Sequence, residues 1–231
     1  MDKVAAVIVA GGSGKRMGMK IKKQFIELEG KAILAHTIEA FNKCKVIDEI
    51  IVVVGKEDIA KVKTEIVSRY GYDKVIQIIE GGTERQESVY NGLMAVAKEV
   101  QYVMIHDGAR PFISQEILEK ALLMTKEKHA TVVAVPVKDT IKVVNEALEV
   151  EATPNRSTLW SVQTPQSFKK ELLIKAYDYA KEKSLIVTDD SMLVEAYGKK
   201  VHVVEGDYNN IKITTSEDLV LGQAILMNKT K

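Results

Sequence analysis

Gly11, Gly12 and Gly14 fall within four residues around Ser13 and run directly into Lys15 and Arg16. Glycines let backbone N–H groups approach a ligand closely, and the adjoining cations can neutralise an anion held against them. The combination suits a polyphosphate and therefore points to a nucleotide. Arg16 and, a little further on, Lys23 of the Lys23-Gln24 pair flank this loop. Both are read as phosphate-facing cations, whereas Lys20 and Lys22 are read as a solvated basic face.

Two common nucleotide motifs do not fit. A P-loop would need glycine where Val9 stands and serine or threonine where Arg16 stands. A dinucleotide fingerprint would need glycine in place of Met17, and the strand ending at Val54-Gly55 carries no acidic residue at its tip to hold a ribose. The stretch from Gly11 to about Lys31 also reads as a long loop and not as a direct turn into a helix.

Further along, Gly81-Gly82-Thr83-Glu84-Arg85-Gln86-Glu87-Ser88 reads either as a capped glycine turn or as a second loop facing the nucleotide. His106-Asp107-Gly108-Ala109-Arg110-Pro111 follows the apolar Val103-Met104-Ile105, which puts Asp107 at the mouth of a central strand. A carboxylate there suits Mg²⁺ shared with phosphate oxygens. His106 reads as a hydrogen-bonded structural histidine, since no second histidine lies at ligand spacing. Thr188-Asp189-Asp190 precedes a helical segment, where capping and function are both open readings. Asn210-Ile211-Lys212-Ile213-Thr214 reads as a strand with one projecting lysine, a pattern that by itself more often gives a surface lysine.

These residues need a scaffold, and the chain alternates strand-like with helix-like segments. Strands are predicted at Val4–Ala10, Glu49–Val54, Lys74–Ile79, Tyr102–His106, Thr131–Val137 and Val201–Val204. Helical spacing links Ile33, Thr37, Ile38 and Phe41, then Val89, Leu93, Val96 and Ala97, then Ile117, Leu118, Ala121 and Leu122. Ser114 is placed to cap the third of these helices, and Thr215 with Asp218 to open the last one. Such alternation predicts an α/β fold with a mostly parallel sheet and helices on both faces. Ligands of such sheets sit beyond the carboxyl ends of the strands, here in the loops after Ala10, Ile79, His106 and Val137. Residues 138–156 break the pattern and read as a β-hairpin around Asn145. The hairpin is too small to form its own core, so it packs on its own domain or reaches a partner subunit.

At 231 residues, one domain with one protruding arm is the simplest organisation. An apolar fraction of 46% and a charged fraction of 28% are ordinary for a globular protein. A net charge of +1 gives no bulk field for nucleic acid or an anionic membrane. The first apolar run is too short to span a bilayer, and no signal peptide is expected. The single cysteine, Cys44, reads as packing and fits a cytoplasmic setting.

Taken in order, these motifs resemble the sugar-phosphate cytidylyltransferases of isoprenoid precursor synthesis. The resemblance runs through the Ala10–Met17 loop, Lys23-Gln24, Gly81-Gly82 with Ser88, and His106–Pro111. It continues through Asp139-Thr140, Arg156, Trp160, Thr164-Pro165-Gln166, Thr188-Asp189-Asp190 and Asn210-Ile211-Lys212. It implies a Rossmann-like nucleotidyltransferase fold and transfer of CMP from CTP to a sugar-alcohol phosphate with release of pyrophosphate. By that pattern Arg16, Lys23 and Lys212 are catalytic, and Asp107 holds Mg²⁺. Ala10, Gly11, Gly12, Ser13, Gly14, Gly81, Gly82, Ser88 and Gly108 bind the nucleotide. Arg110, Thr140, Arg156, Thr164 and Thr188 bind the second substrate. The hairpin becomes an arm exchanged within a homodimer, so Thr140 and Arg156 would reach the partner's site. Trp160 and the Thr188–Asp190 run match the branch acting on methylerythritol phosphate better than the one acting on ribitol phosphate. A catalytically silent nucleotide sensor would not need all three cations together with Asp107.

Overall fold

The computed structural model describes residues 2–12 and 21–229. Small and β-branched residues make β1 (Lys3–Val9) a strand buried on both faces. Val4, Ala6 and Ile8 enter one apolar layer, while Ala5 and Val7 enter the other. The described part of the expected long loop is more ordered than its composition suggests. It holds a 3-10 turn at Lys23–Phe25 and a tight hairpin of β2 (Glu27–Leu28) and β3 (Lys31–Ala32). Helix α1 (Ile33–Asn42) leads to β4 (Glu49–Val54), at the bounds expected of it. A short α2 (Ile59–Lys61) widens into a π-helical turn, Val62–Ser68, before β5 (Val75–Glu80). Then come α3 (Arg85–Ala95), β6 (Val100–Asp107), α4 (Gln115–Lys128) and β7 (Ala130–Pro136). Ser114 caps α4 by accepting from the Ile117 N–H at 3.2 Å.

The hairpin expected around Asn145 is present as β8 (Val143–Val144) and β9 (Val150–Ala152), paired antiparallel. The Asn145 side-chain oxygen closes its turn, accepting from the N–H groups of Ala147 and Glu149. After it come β10 (Trp160–Lys169), α5 (Lys170–Glu182), α6 (Asp190–Ala196), β11 (His202–Glu205) and α7 (Ser216–Lys229). Thr215 and Asp218 exchange side-chain and backbone hydrogen bonds at the start of α7, as a capping box does.

Seven strands form one sheet in the order β11-β7-β10-β6-β1-β4-β5. All neighbours are parallel except β10, which runs antiparallel to both β6 and β7. Strand β10 was not foreseen, because Gln163-Thr164-Pro165-Gln166-Ser167 lacks the apolar run of a central strand. Its ladder with β7 is interrupted between Val162 and Gln166, which accommodates Pro165 without a missing ladder donor. Thr164-Pro165 is a cis peptide. The two buried glutamines of β10 are satisfied across the fold, whereas the buried Ser167 hydroxyl has no partner among the described residues. Gln163 donates to the Asp207 carbonyl, and Gln166 joins Asp189 and the Ser191 N–H.

One expected strand is absent: Asn210–Thr214 is irregular. Its backbone bonds go elsewhere, with the Ile213 N–H donating to the Ala109 carbonyl and the Thr214 N–H to the Asp218 carboxylate. The Ile211/Ile213 alternation reflects burial of Ile213 in a small third cluster with Leu28, Phe112 and Ile225. Cys44 is a buried free thiol, and its pKa is raised by burial. Among the described residues no helix is long and apolar enough to cross a membrane.

Candidate active site

Strands β4 and β5 extend the sheet on one side of β1, and β6 lies on the other. The chain therefore reverses its winding between β1 and β6, and this is where parallel α/β sheets open a crevice at their carboxyl ends. In register, Val9 faces Asp107 across that gap. A cleft of about 180 Å³ opens there, lined by Ala10, Gly11 and Gly12 after β1 and by Asp107, Gly108 and Ala109 after β6. Gly82, Arg85 and Ser88 close one side, and Lys23, Gln24 and Lys212 also reach it. Gly108 fits because a Cβ there would lie 2.8 Å from the Ala10 Cβ. The loops after β1, β5 and β6 thus meet as expected, while the loop after β7 does not line the cleft.

Asp107 is the electrostatic centre, only 7% exposed. The Lys212 Nζ lies 2.9 Å from one of its oxygens, and the Arg110 Nε 3.4 Å from the same oxygen. The Arg85 Nε lies 3.6 Å from the other. Burial pushes this carboxyl up, but Lys212, Arg85 and Arg110 together hold it well below the usual carboxylate range. Arg85 also donates to Asp190 at 2.8 Å, and Asp190 accepts from the Tyr177 hydroxyl at 2.8 Å. Burial opposes the charge on Arg85, yet Asp190 and Asp107 raise its pKa overall. Burial, with Asp190 beside it, raises the Tyr177 hydroxyl. Arg110 is lowered by burial, only partly offset by Asp107, and it donates to the Asn210 carbonyl at 2.9 Å. Among the described residues, two carboxylates and three cations therefore share one contact network with a surplus of positive charge. Lys23 adds a further cation to the same cleft.

His106 is fully enclosed and is structural, as expected. Its ring contacts the Arg110 carbonyl at 3.1 Å and the Thr164 hydroxyl at 2.9 Å. Burial brings its pKa down to about 4. The Thr164 hydroxyl also accepts from the Asp107 N–H at 3.1 Å. Thr164 thus fastens the end of β6, and it does not line the cleft. The Ser88 hydroxyl does line it, donating to the Glu84 carbonyl and accepting from the Gly82 N–H, which shapes the second glycine loop.

The remaining residues expected at the site are dispersed. Thr140 and Arg156 are exposed at the base of the hairpin, where Arg156 donates to the Lys138 carbonyl. Thr188 is exposed before α6, against the Met192 sulfur. Asp189 does cap α6, accepting from the Met192 N–H. Ser13, Gly14, Lys15 and Arg16 lie outside the described residues, as does Lys20. Lys22 is not a solvated lysine. It pairs with Glu57 and, at 2.7 Å, with Asp58, and both bonds raise its pKa.

Arg85 and Asp190 were not singled out in the sequence. They lie 105 residues apart, within segments already noted for other reasons, and no local signal links them. Among the described residues no three His, Cys, Asp or Glu side chains converge as a metal cage. One buried carboxylate beside a cationic phosphate cleft does fit a magnesium ion whose other ligands are phosphate oxygens and water.

A parallel α/β sheet with a glycine-rich, cation-lined cleft at its switch point and a single aspartate at the strand end defines an enzyme of the nucleotidyltransferase class. The family model for IspD, 2-C-methyl-D-erythritol 4-phosphate cytidylyltransferase, matches residues 4–228. The chain belongs to this family. It is 49% identical to the 2-C-methyl-D-erythritol 4-phosphate cytidylyltransferase of Alkaliphilus oremlandii, over 99% of this chain and 97% of that one. It is 50% identical to that of Clostridium perfringens, over 96% and 98%. The crystal structure of 4-diphosphocytidyl-2C-methyl-D-erythritol synthase from Anaerococcus prevotii superposes with a TM-score of 0.87 at 36% identity, covering 98% of this chain and 99% of that one.

Proposed function

We propose that this chain transfers CMP from CTP to 2-C-methyl-D-erythritol 4-phosphate, giving 4-diphosphocytidyl-2-C-methyl-D-erythritol and pyrophosphate. The observation that carries the proposal is the cluster of Lys212, Arg110 and Arg85 on buried Asp107, in a glycine-walled cleft of a chain of this family. A phosphate oxygen of the sugar alcohol attacks the α-phosphorus of CTP. One P–O bond forms, and the bond to the β-phosphate breaks, its electron pair leaving with pyrophosphate. The protein's task is to hold two anions in line and to stabilise the charge that builds between them.

The glycine loop after β1 offers backbone N–H groups, and the loop closed by Ser88 forms the opposite wall. Lys23, Lys212 and Arg16 supply positive charge at the phosphates, and Arg110 faces the incoming sugar phosphate. Asp107 would hold the magnesium that accompanies the triphosphate, an ion that neutralises phosphate charge when bound. The Lys212 ammonium lies 2.9 Å from that carboxylate, at the same cleft.

Thr140 and Arg156 sit on an arm whose apolar side chains are open, with Leu148 80% exposed. Exchange of this arm within a homodimer would bury that surface and bring both residues to the partner's cleft. A cytoplasmic location, suggested by a lone reduced cysteine, belongs to the same reading.

The test is pyrophosphate release with CTP and Mg²⁺, comparing 2-C-methyl-D-erythritol 4-phosphate with ribitol 5-phosphate. Strong preference for the first is expected. Preference for the second would reassign the substrate, and release with neither would overturn the proposal.

A further inference from the structure

Three glutamines are buried, and two of them behave as buried amides must. Gln163 and Gln166 each use both ends of the side chain in hydrogen bonds. Gln24 does not. It is 1% exposed, and among the described residues neither its Nε2 nor its Oε1 has a partner. Both ends are unpaired, so the assignment of nitrogen and oxygen does not alter the finding. An enclosed amide without partners has lost its water and gained nothing in return.

Two features keep Gln24 there. It occupies the middle of the 3-10 turn Lys23–Phe25, with Lys22 anchored to Glu57 and Asp58 on one side. On the other side Phe25 packs against the main core, with the Lys61 ammonium 4.4 Å above its ring. The turn is thus pinned at both ends, and Gln24 is among the residues that line the cleft, with Gly11, Gly12 and Asp107.

We infer that Gln24 is a nucleotide-binding residue held ready in the free protein, its amide nitrogen donating to a phosphate oxygen of the bound triphosphate. Its carbonyl oxygen accepts from a ribose hydroxyl of the same ligand. This differs from the role of its neighbour Lys23. A lysine contributes charge at any angle, whereas an amide contributes direction and requires a ligand with both acceptors and donors. The inference rests on the proposed function for the identity of the nucleotide.

The test uses the full chain and two substitutions of nearly constant volume, Gln24→Met and Gln24→Glu. Binding of CTP is measured by calorimetry in the presence of Mg²⁺, and melting is followed without ligand. Gln24→Met should raise the Kd for CTP by at least about tenfold, since it removes both hydrogen bonds and the directed one to the anion alone is of that scale. It should leave the melting temperature of the free protein unchanged or raised, because an apolar side chain does not leave an amide unpaired. Gln24→Glu should weaken binding further by setting a negative charge against the phosphates. A Gln24→Met protein that binds CTP within twofold of wild type overturns the inference. So does one that melts lower without ligand, since the residue would then be supporting the free fold. Should methionine fail to pack, Gln24→Leu carries the same two readouts. Wild-type protein that neither binds CTP nor releases pyrophosphate from it would instead defeat the proposed function.

Discussion

The cleft at the ends of β1 and β6 and the hairpin of β8 and β9 both carry residues expected to touch substrate, yet they are built in opposite ways. In the cleft Asp107 is gripped by three cations, and Asp190 is fixed by Arg85 and Tyr177. The hairpin strands are exposed along their whole length, and among the described residues the hydrogen bonds of its turn are its own. One region is organised by its own chain. The other leaves its apolar side chains exposed, as the proposed arm exchange requires, and its two substrate-binding candidates stand apart from the cleft. Electrostatic catalysis needs groups already in place, whereas a shared arm needs only to be rigid enough to dock.

Substitutions on the arm should give the largest effect. Val143→Lys with Val150→Lys places two charges on its exposed apolar side chains. This should yield a folded monomer with activity at background, as read by light scattering and pyrophosphate release on one preparation. Full turnover by a demonstrated monomer would remove the need for a partner and erase the contrast.

Within the cleft, Lys212→Ala and Lys23→Ala should each lower turnover by about 10²–10³-fold, the loss typical of one transition-state donor. Circular dichroism should remain that of wild type. Wild-type turnover in both variants would show that the prebuilt cations are not catalytic.

His106 offers a third test, because it supports the loop behind Asp107. Unfolded, a histidine takes up its proton near pH 6.5, whereas in the fold His106 does so only near 4. Between those values the unfolded chain binds more protons, so this contribution to stability is complete above pH 6.5. It is lost as pH falls toward 4. The loss should reach about 2 kcal/mol by pH 5 and about 3 kcal/mol when complete. His36, also lowered chiefly by burial, adds in the same direction. Urea unfolding from pH 7 to pH 5 should show the decline, and His106→Gln should flatten it. Parallel profiles for the two proteins would count against a neutral buried imidazole.

The smallest effect belongs to a position remote from both regions. Ser114→Ala removes the cap of α4 and should cost about 1 kcal/mol of stability, leaving turnover unchanged. A change in turnover there would mean that α4, which leaves the loop containing Arg110, is coupled to the cleft.

Much of this could be read along the chain. Strand β4 has the predicted bounds, five other strands lie within a residue or two of theirs, and the Ser114 and Thr215/Asp218 caps form as expected. These features are encoded by neighbours a few residues apart, through apolar periodicity and side chains that satisfy nearby N–H groups. Glycines followed by cations at the end of an apolar run marked one wall of the cleft at Gly11 and Gly12, and an aspartate after Ile105 and His106 marked the cleft's centre. Strand β10 escaped because its two glutamines are satisfied by Asp207, Asp189 and Ser191, far along the chain. Asn210–Thr214 misled because burial of Ile213 imitates strand alternation without a partner strand. The sequence by itself determined the alternating elements, the glycine loop and the types of charged group available for phosphate chemistry, since each depends on local pattern. Only the tertiary structure decided that Arg85 would bridge Asp107 and Asp190, that Lys22 would be anchored, and that Gln24 would be enclosed without a partner among the described residues. Those outcomes depend on which distant side chains the sheet order brings within a few ångströms, and no spacing along the chain encodes that.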